Sequence, residues 1–350
     1  MKALSDQQRL FLVESEQLYR AWRELAWRQQ EYKFGMRWKK INNTDYLQRM
    51  RSAKGFSKSL GPRTPETELI YEQFQAGKTL ADEKFQGLKA RIATQTRLNR
   101  AVRLGRLPNI IGEILLKLDQ VQALSELRVV GTHAIYAYES MAAVECKMEL
   151  LASGDIDLLF DVRKQVSLIA KKLDGAGLLG LLKKVDKSFE LSSMQQFRAI
   201  NKDGFMVDLI GQEKGVFFDK PQPMAKGDFE IVQIPNLEWL ANSPRIEQVV
   251  IASNGTPVIM PVPDPRAFAI HKAWLSQQFD REPVKKQRDL NQALMVLNML
   301  QAYLPQFTLE PKDMKYFPKN VMETSLGLLG KKGWLPFESS NTLDYDESMV

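Results

Sequence analysis

Residues 155–160 read Asp155-Ile156-Asp157-Leu158-Leu159-Phe160, and this stretch decides the fold class. Its apolar residues predict a strand, and because side chains alternate across a strand, the carboxylates of Asp155 and Asp157 emerge on the same face. Two neighbouring anions repel each other and need a cation between them. Paired oxygen ligands suit Mg²⁺, which otherwise binds waters and substrate phosphate oxygens.

A third carboxylate arrives on another predicted strand. Residues 197–200 and 205–210 are apolar runs, and the turn sequence Asn201-Lys202-Asp203-Gly204 between them predicts a hairpin. Asp208 lies inside the second run with apolar residues on both sides. Such a position favours a functional carboxylate over an exposed surface one.

Upstream, a short strand from Leu127 ends in Gly131-Thr132, and a helix is predicted over 134–144. Glycine permits close approach of the backbone to a ligand. The free N–H groups at the start of the helix, together with the Thr132 hydroxyl, can bind phosphate oxygens. The turn therefore predicts a phosphate site.

This order of motifs resembles the nucleotidyltransferase fold of the DNA polymerase β superfamily: a glycine turn, an Asp-x-Asp strand and a third Asp on a neighbouring strand. The resemblance implies that Gly131 and Thr132 bind a nucleoside triphosphate. It also implies that Asp155 and Asp157 bind two Mg²⁺ ions, and that Asp208 completes the metal site and helps to activate the attacking hydroxyl.

The downstream residues extend the resemblance. Residues 271–274 and 285–290 are similar to a helical segment in which a lysine reaches the triphosphate, here Lys272, and an Arg-Asp pair braces the next helix. Residues 36–40, 59–68, 97–108 and 131–134 resemble a bacterial group of nucleotidyltransferase-fold proteins, over about residues 30–305. The interval from Gly131 to Asp155 is long for this fold, so we expect an extra helical turn or strand at 141–151.

The expected architecture is an α/β (α+β) protein with a small mixed sheet and helical regions on both sides. We place a basic helical region at 1–124, a catalytic core at 125–262, a C-terminal helical region at 263–335 and a flexible acidic tail at 336–350. Helices are predicted as far as about Arg106, with Thr64-Pro65-Glu66 as a helix start. Asp264-Pro265 predicts another.

The positive charge is concentrated near the N-terminus. Of 49 Lys and Arg residues and 42 Asp and Glu residues in the chain, residues 1–110 hold 22 and 11, so this part carries +11 and the remainder −4. Arg97, Arg100 and Arg103 recur every three residues and are either nucleic-acid contacts or a solvated helix face. The run 32–40 interleaves aromatic and basic residues, as a nucleotide-stacking surface or as the core face of a helix.

Composition excludes several classes. A single cysteine, Cys146, excludes internal disulfides and cysteine-based zinc clusters, and two histidines leave little room for a His-rich metal site. About eighteen consecutive apolar residues occur nowhere in the sequence, so no membrane span is predicted. A cytoplasmic protein without a membrane partner is expected.

The expected activity is Mg²⁺-dependent transfer of a nucleoside monophosphate from an NTP to a hydroxyl, with release of pyrophosphate. The acceptor is an RNA, with tRNA among the options, or a protein. The alternative is a catalytically silent module of the same fold that binds nucleic acid or a protein partner. Labelled NTP, Mg²⁺ and cell extract would distinguish these functions.

Overall fold

The computed structural model describes residues 1–51, 55–164, 169, 172–173, 177–213, 223 and 227–334. The strands are β1 (Lys2–Ala3), β2 (Met36–Ile41), β3 (Thr44–Met50), β4 (Ser57–Pro62), β5 (Leu127–Val130), β6 (Val144–Glu145), β7 (Asp155–Phe160), β8 (Glu190–Leu191), β9 (Arg198–Ile200), β10 (Met206–Gln212), β11 (Val232–Ile234), β12 (Arg245–Ile251) and β13 (Pro257–Pro263). The helices are α1 (Asp6–Tyr32), α2 (Pro65–Ala101), α3 (Asn109–Gln120), α4 (Ile135–Ala142), α5 (Gly177–Val185), α6 (Glu238–Asn242), α7 (Pro265–Leu275), α8 (Pro283–Tyr303) and α9 (Lys319–Lys331).

The chain folds as two compact units. Unit 1 comprises the described residues of Met1–Arg9, Arg106–Ala252 and Val258–Val350. Unit 2 comprises Leu10–Gly105 and Ser253–Pro257. The predicted starts of the catalytic core at residue 125, of the C-terminal helical region at 263 and of the tail at 336 stay predictions.

A mixed sheet forms the centre of unit 1 and confirms the predicted α/β class. Its strands run in the order β5-β7-β10-β9-β8, and β11 pairs with β10. Strands β7 and β10 are parallel, whereas β9 and β10 form the predicted antiparallel hairpin. Ile156 and Val207 point away from the carboxylates and are fully buried, so the sheet's other face is part of the core.

Local hydrogen bonds explain why this hairpin forms. The Asn201 side-chain oxygen accepts from the backbone N–H of Asp203 at 3.1 Å and of Phe205 at 2.8 Å. Gly204 has φ +79°, a conformation that glycine adopts without a steric penalty. The turn therefore sets the register of β9 against β10.

Three helices of unit 1, α4, α7 and α8, pack against one another. Asp264 caps α7 by accepting from the Arg266 N–H at 2.8 Å, as predicted, and Pro265 is the first helical residue. Helix α7 packs against α8, and α8 also contacts α4. The predicted insertion between Gly131 and Asp155 is present as β6 and a 3₁₀ turn at Met148–Leu150.

In unit 2 the expectation of helices separated by breaks was wrong for residues 36–62, which form the three-stranded antiparallel sheet β2-β3-β4. Asn42 (φ 47°) and Asn43 (φ 67°) make the left-handed turn between β2 and β3, a geometry typical of tight hairpins. Trp38 lies on a strand and its ring is 5.9 Å from that of Tyr71 on α2. Its spacing of four from Phe34 therefore does not reflect a helix face.

The prediction for helix α2 is correct at its start but not at its end. Its predicted start is confirmed, because Thr64 and Thr67 cap each other's backbone N–H groups. The helix ends at Ala101, so Arg103 (φ 55°) lies beyond it and does not continue the helical stripe of Arg97 and Arg100.

Two predicted segments lie wholly or partly outside the described residues. Of the apolar stretch 168–185, the structure describes α5, whose first N–H groups at Leu178 and Leu179 donate to Asp228 at 2.8 Å each. The acidic tail at 336–350 is outside the described chain. None of the described helices is long and apolar enough to cross a membrane.

Candidate active site

The structure brings Asp155, Asp157 and Asp208 together. One carboxylate oxygen from each lies within 4.8 Å of the others. Asp155 and Asp157 share a face because they are two apart on β7, and Asp208 joins them because it lies opposite Asp157 in the parallel register of β7 and β10. Strand geometry therefore explains the convergence of this acidic trio.

Burial and the neighbouring carboxylates together shift the pKa of Asp157. The pKa of Asp157 is raised to about 7, first by burial and then by the negative charges of Asp155 and Asp208. The Ser153 hydroxyl donates to Asp155 at 2.5 Å. Positive charges on Lys272 and Arg198 oppose the shift at Asp157 without cancelling it.

Arg198 on β9 orients the third carboxylate, and sequence analysis missed it. Its Nε and Nη2 atoms donate to the two oxygens of Asp208 at 2.7 and 2.6 Å, a bidentate ion pair. The two residues are direct partners in the hairpin register. Counting outward from the predicted turn at 201–204 would have placed Arg198 opposite Val207, because the hairpin closes one residue later, between Asn201 and Phe205.

Gly131 brings the backbone against the trio. It has φ +67°, and a Cβ added there would overlap the Asp157 carboxylate. The following residues, Thr132–Ala134, form a single 3₁₀ turn before α4. Only glycine therefore satisfies both the backbone conformation and the space beside Asp157.

Thr132 is held by a residue that sequence analysis did not single out. The Gln292 side chain on α8 donates to the Thr132 hydroxyl oxygen at 3.2 Å and to the Leu150 carbonyl at 2.7 Å. Because the hydroxyl accepts this bond, its own hydrogen is left to donate. Gln292 is fully buried and gave no signal in the sequence beyond an amide among apolar helix residues.

Lys272 faces the same region from α7. Its Nζ forms a buried ion pair with Asp289 at 2.7 Å, and Arg281 pairs with the other Asp289 oxygen at 2.8 Å. The resemblance implied an Arg-Asp pair within residues 285–290. The arginine is instead Arg281, which precedes α8.

The neighbouring histidine, His133, is neutral. Its burial lowers its pKa to about 4, and its Nε2 atom has no hydrogen-bond partner among the described residues. Its ring stacks on that of Tyr136, with the ring centroids 6.0 Å apart. This environment is that of a packed core side chain.

The predicted nucleic-acid residues belong to unit 2. Arg97, Arg100 and Arg103 are exposed. Arg97 donates to the Ala93 carbonyl of its own helix at 3.3 Å. None of these arginines forms an ion pair within the described part of the chain, so their charges face solvent.

A family model described as nucleotidyltransferase matches residues 109–316, more than half of the chain. The chain belongs to the nucleotidyltransferase family. The matched range contains Gly131, the acidic trio and Lys272. A solved structure of an antigenic nucleotidyltransferase-like protein from Paracoccidioides brasiliensis is similar at 16% identity and a TM-score of 0.32, over 63% of this chain and 88% of that one. No curated protein sequence gave a significant match.

Two cavities flank the acidic trio of this nucleotidyltransferase. The first, about 520 Å³, is lined by Asp157, Gly131 and Lys272, with apolar and aromatic walls that include Phe268 and Trp274. The second, about 730 Å³, is lined by Asp155 together with Ala152, Ser153, Gly154, Arg198, Met206, Lys285 and Arg288. The trio therefore has open space on either side.

The trio fits a hard divalent cation. It offers carboxylate oxygens alone, the ligands that Mg²⁺ prefers. The raised pKa of Asp157 reflects first its burial and then the negative charges of Asp155 and Asp208, which the nearby cationic side chains do not fully compensate. Asp155, Asp157 and Asp208 are thus the residues of the described chain that would hold the ion.

Proposed function

We propose that this chain transfers a nucleoside monophosphate from an NTP to an acceptor hydroxyl and releases pyrophosphate. The observation that carries the proposal is the convergence of Asp155, Asp157 and Asp208 beside Gly131. Family membership supports nucleotidyl transfer in general. The roles of the individual residues are part of the same proposal.

The first cavity is proposed to bind the NTP. The backbone at Gly131 approaches Asp157 closely, and the free hydrogen of the Thr132 hydroxyl can donate to a phosphate oxygen. Lys272 supplies a cation that is only 5% exposed, and its charge acts strongly in this desolvated position. The aromatic walls provide apolar surface for the base.

The acidic trio is proposed to bind two Mg²⁺ ions, as the family resemblance implies. When bound, Mg²⁺ neutralises charge on the phosphate oxygens and lowers the pKa of the attacking hydroxyl. Arg198 keeps the Asp208 carboxylate in one orientation toward Asp157.

In the reaction, the acceptor oxygen forms a bond to the α-phosphorus and the bond from that phosphorus to the β-phosphate oxygen breaks. Pyrophosphate leaves with the electron pair of the broken bond. The hydroxyl proton passes to the carboxylate cluster, with Asp208 in the activating position, and then to water.

The acceptor is proposed to be RNA, because unit 2 presents a dense positive charge. Residues 33–63 contain nine Lys and Arg residues and one acidic residue, Asp45. Six of these cations are exposed and make no ion pair with any described residue: Lys33, Arg37, Lys39, Lys40, Arg51 and Lys58. Arg97, Arg100 and Arg103 add exposed charge on the same unit. Free cations of this kind neutralise a polynucleotide backbone.

The test is incubation with each labelled NTP, Mg²⁺ and total cell extract, followed by separation of RNA from protein. Label in RNA that disappears with Asp155→Asn and Asp157→Asn supports the proposal. Label only in protein would replace RNA as the acceptor. No label in either fraction, with the variants folded, would leave a catalytically silent nucleotidyltransferase module.

A further inference from the structure

The second cavity beside the acidic trio has a charge pattern of its own. Its ionisable lining residues are one carboxylate, Asp155, and three cations, Arg198, Lys285 and Arg288. The first cavity, by contrast, is lined by two cations, Lys272 and Arg281, and by two carboxylates, Asp157 and Asp280. The side of the trio facing Asp155 is therefore the more positive of the two.

The cations of the second cavity have donors left over. The Nε atom of Arg288 is buried and has no hydrogen-bond partner in the described structure. A buried N–H without a partner is costly, and in native proteins it calls for an acceptor. Lys285 is paired only with Glu282, at 2.9 Å, and both side chains are solvent-exposed, so that ion pair holds it weakly.

Arg198 links this cavity to the trio. Two of its nitrogens hold Asp208, which fixes the guanidinium group, and Arg198 is also a lining residue of the cavity. The floor is built from small residues, Ala152, Ser153 and Gly154, and a Cβ on Gly154 would meet nothing within 4 Å. The floor thus leaves room for a ligand next to Asp155.

We infer that this cavity is the acceptor subsite and that it binds the phosphodiester adjacent to the attacking hydroxyl of a polynucleotide end. The inference rests on the proposed nucleotidyl transfer, and it assigns Arg288 and Lys285 as the phosphate contacts. A phosphate in the cavity accepts charge-assisted hydrogen bonds from Lys285 and from the Arg288 guanidinium, which forms no hydrogen bond or ion pair with any described residue. RNA and DNA ends share this chemistry, whereas an acceptor hydroxyl on Ser, Thr or Tyr carries no anion of its own for these cations.

The experiment compares Arg288→Ala, Lys285→Ala and the charge-conserving Arg288→Lys in the full chain. Lys319→Ala, at a 90% exposed lysine on α9, is the matched control. Fluorescence anisotropy with labelled single-stranded RNA and DNA oligonucleotides measures binding across a salt series, and steady-state kinetics measure KM for the oligonucleotide and for the NTP.

The expected result is oligonucleotide binding weakened about tenfold for Arg288→Ala and less for Lys285→Ala, with the salt slope reduced by about one for each cation removed. Arg288→Lys should recover part of the loss. KM for the NTP should not change. Comparison of the RNA and DNA arms then shows which end the subsite prefers.

Failure of the subsite and failure of the proposed function give different results. Unchanged oligonucleotide binding and KM in both alanine variants would overturn the acceptor subsite even if the wild-type chain transfers nucleotides. Because Lys285 is exposed, its replacement leaves this test valid if Arg288→Ala does not fold. Oligonucleotide binding that depends on Arg288, in a chain without any transfer, would retain the phosphate site and reject the nucleotidyl transfer.

Discussion

Arg198 and Asp208 face each other across the β9–β10 hairpin, and both Asp208 oxygens accept hydrogen bonds from one guanidinium group. The pair has two consequences. It fixes the orientation of a carboxylate that would share a bound cation with Asp155 and Asp157. It also places a positive charge beside a cluster of three negative ones, which reduces their mutual repulsion.

Replacement of Arg198 should therefore lower activity through Asp208. We expect Arg198→Ala to lower kcat about 10- to 100-fold, the usual effect of removing a group that orients a metal ligand. Arg198→Lys keeps the charge without the bidentate geometry and should recover only part of the loss. The Mg²⁺ dependence of turnover checks the mechanism. A Mg²⁺ titration identical to that of the wild type would show that Arg198 does not act through Asp208.

Replacement of Asp157 should separate stability from activity. The pKa of this carboxyl is about 7 in the folded protein and 3.8 in its ordinary state, so the folded protein binds its proton more tightly. Its contribution to stability is complete at low pH and is lost as the pH rises from about 4 through about 7. Asp157→Asn removes the cost of ionising this buried carboxyl. It should also abolish transfer.

The measurement is thermal unfolding without divalent cations. Asp157→Asn should raise Tm by about 2–5 °C at about pH 8 and by less than half of that at about pH 5. Asp186→Asn is a control, because that carboxylate is accessible and its pKa is lowered by hydrogen bonds. An Asp157→Asn gain that does not depend on pH would contradict the assigned cause.

Replacement of Gly131 by alanine should disrupt the acidic trio directly. The new Cβ would overlap the Asp157 carboxylate and must displace it. A displacement of about 1 Å in a catalytic group commonly lowers the rate about 100-fold. We expect a loss of at least that size in kcat/KM, with weaker retention of Mg²⁺ measured by calorimetry.

Gly204→Ala is the matched control for Gly131→Ala. Gly204 has a similar positive φ of 79°, and a Cβ there would meet nothing within 4 Å. Both variants carry backbone strain of about 1–2 kcal/mol or more, because an L residue rarely adopts a positive φ, and the ψ of −158° at Gly131 adds to the strain there. Equal loss of activity in the two would show that strain, and not contact with Asp157, is responsible.

The hydrogen bond from Gln292 to Thr132 should affect nucleotide binding. Gln292→Leu removes the donor that holds the Thr132 hydroxyl, so we expect a higher KM for the NTP and a smaller change in kcat. A double-mutant cycle with Thr132→Val tests whether the two residues act together. Additive effects on KM would contradict the proposed positioning of Thr132 by Gln292.

The sequence was most informative where local rules fix the geometry. Side-chain alternation on β7 placed Asp155 and Asp157 together, and turn residues located the hairpin that carries Asp208. The cap residues Thr64 and Asp264 located the starts of two helices. These features depend on contacts within a few residues.

Sequence prediction failed where tertiary contacts decide the structure or where the spacing of apolar residues fits both a helix and a strand. Phe34 and Trp38 fit a helix period, but Gly35 at φ +74° and the left-handed Asn42-Asn43 turn start a sheet. Arg198 and Gln292 reach the site only through strand register and helix packing. Arg281 replaced the expected partner of Asp289 because side-chain reach, and not adjacency in sequence, selects ion pairs.

The crowding of Asp155, Asp157 and Asp208 also supplies a label-free route to the substrate. Folding holds like charges together, so any occupant that brings positive charge to them makes the fold more resistant to heat. Heating the chain with Mg²⁺ and each ribonucleotide or deoxyribonucleotide in turn would rank the ligands by the melting point that each one reaches. The carboxylates that destabilise the ligand-free protein would thus show, through the melting temperature, which nucleotide binds best.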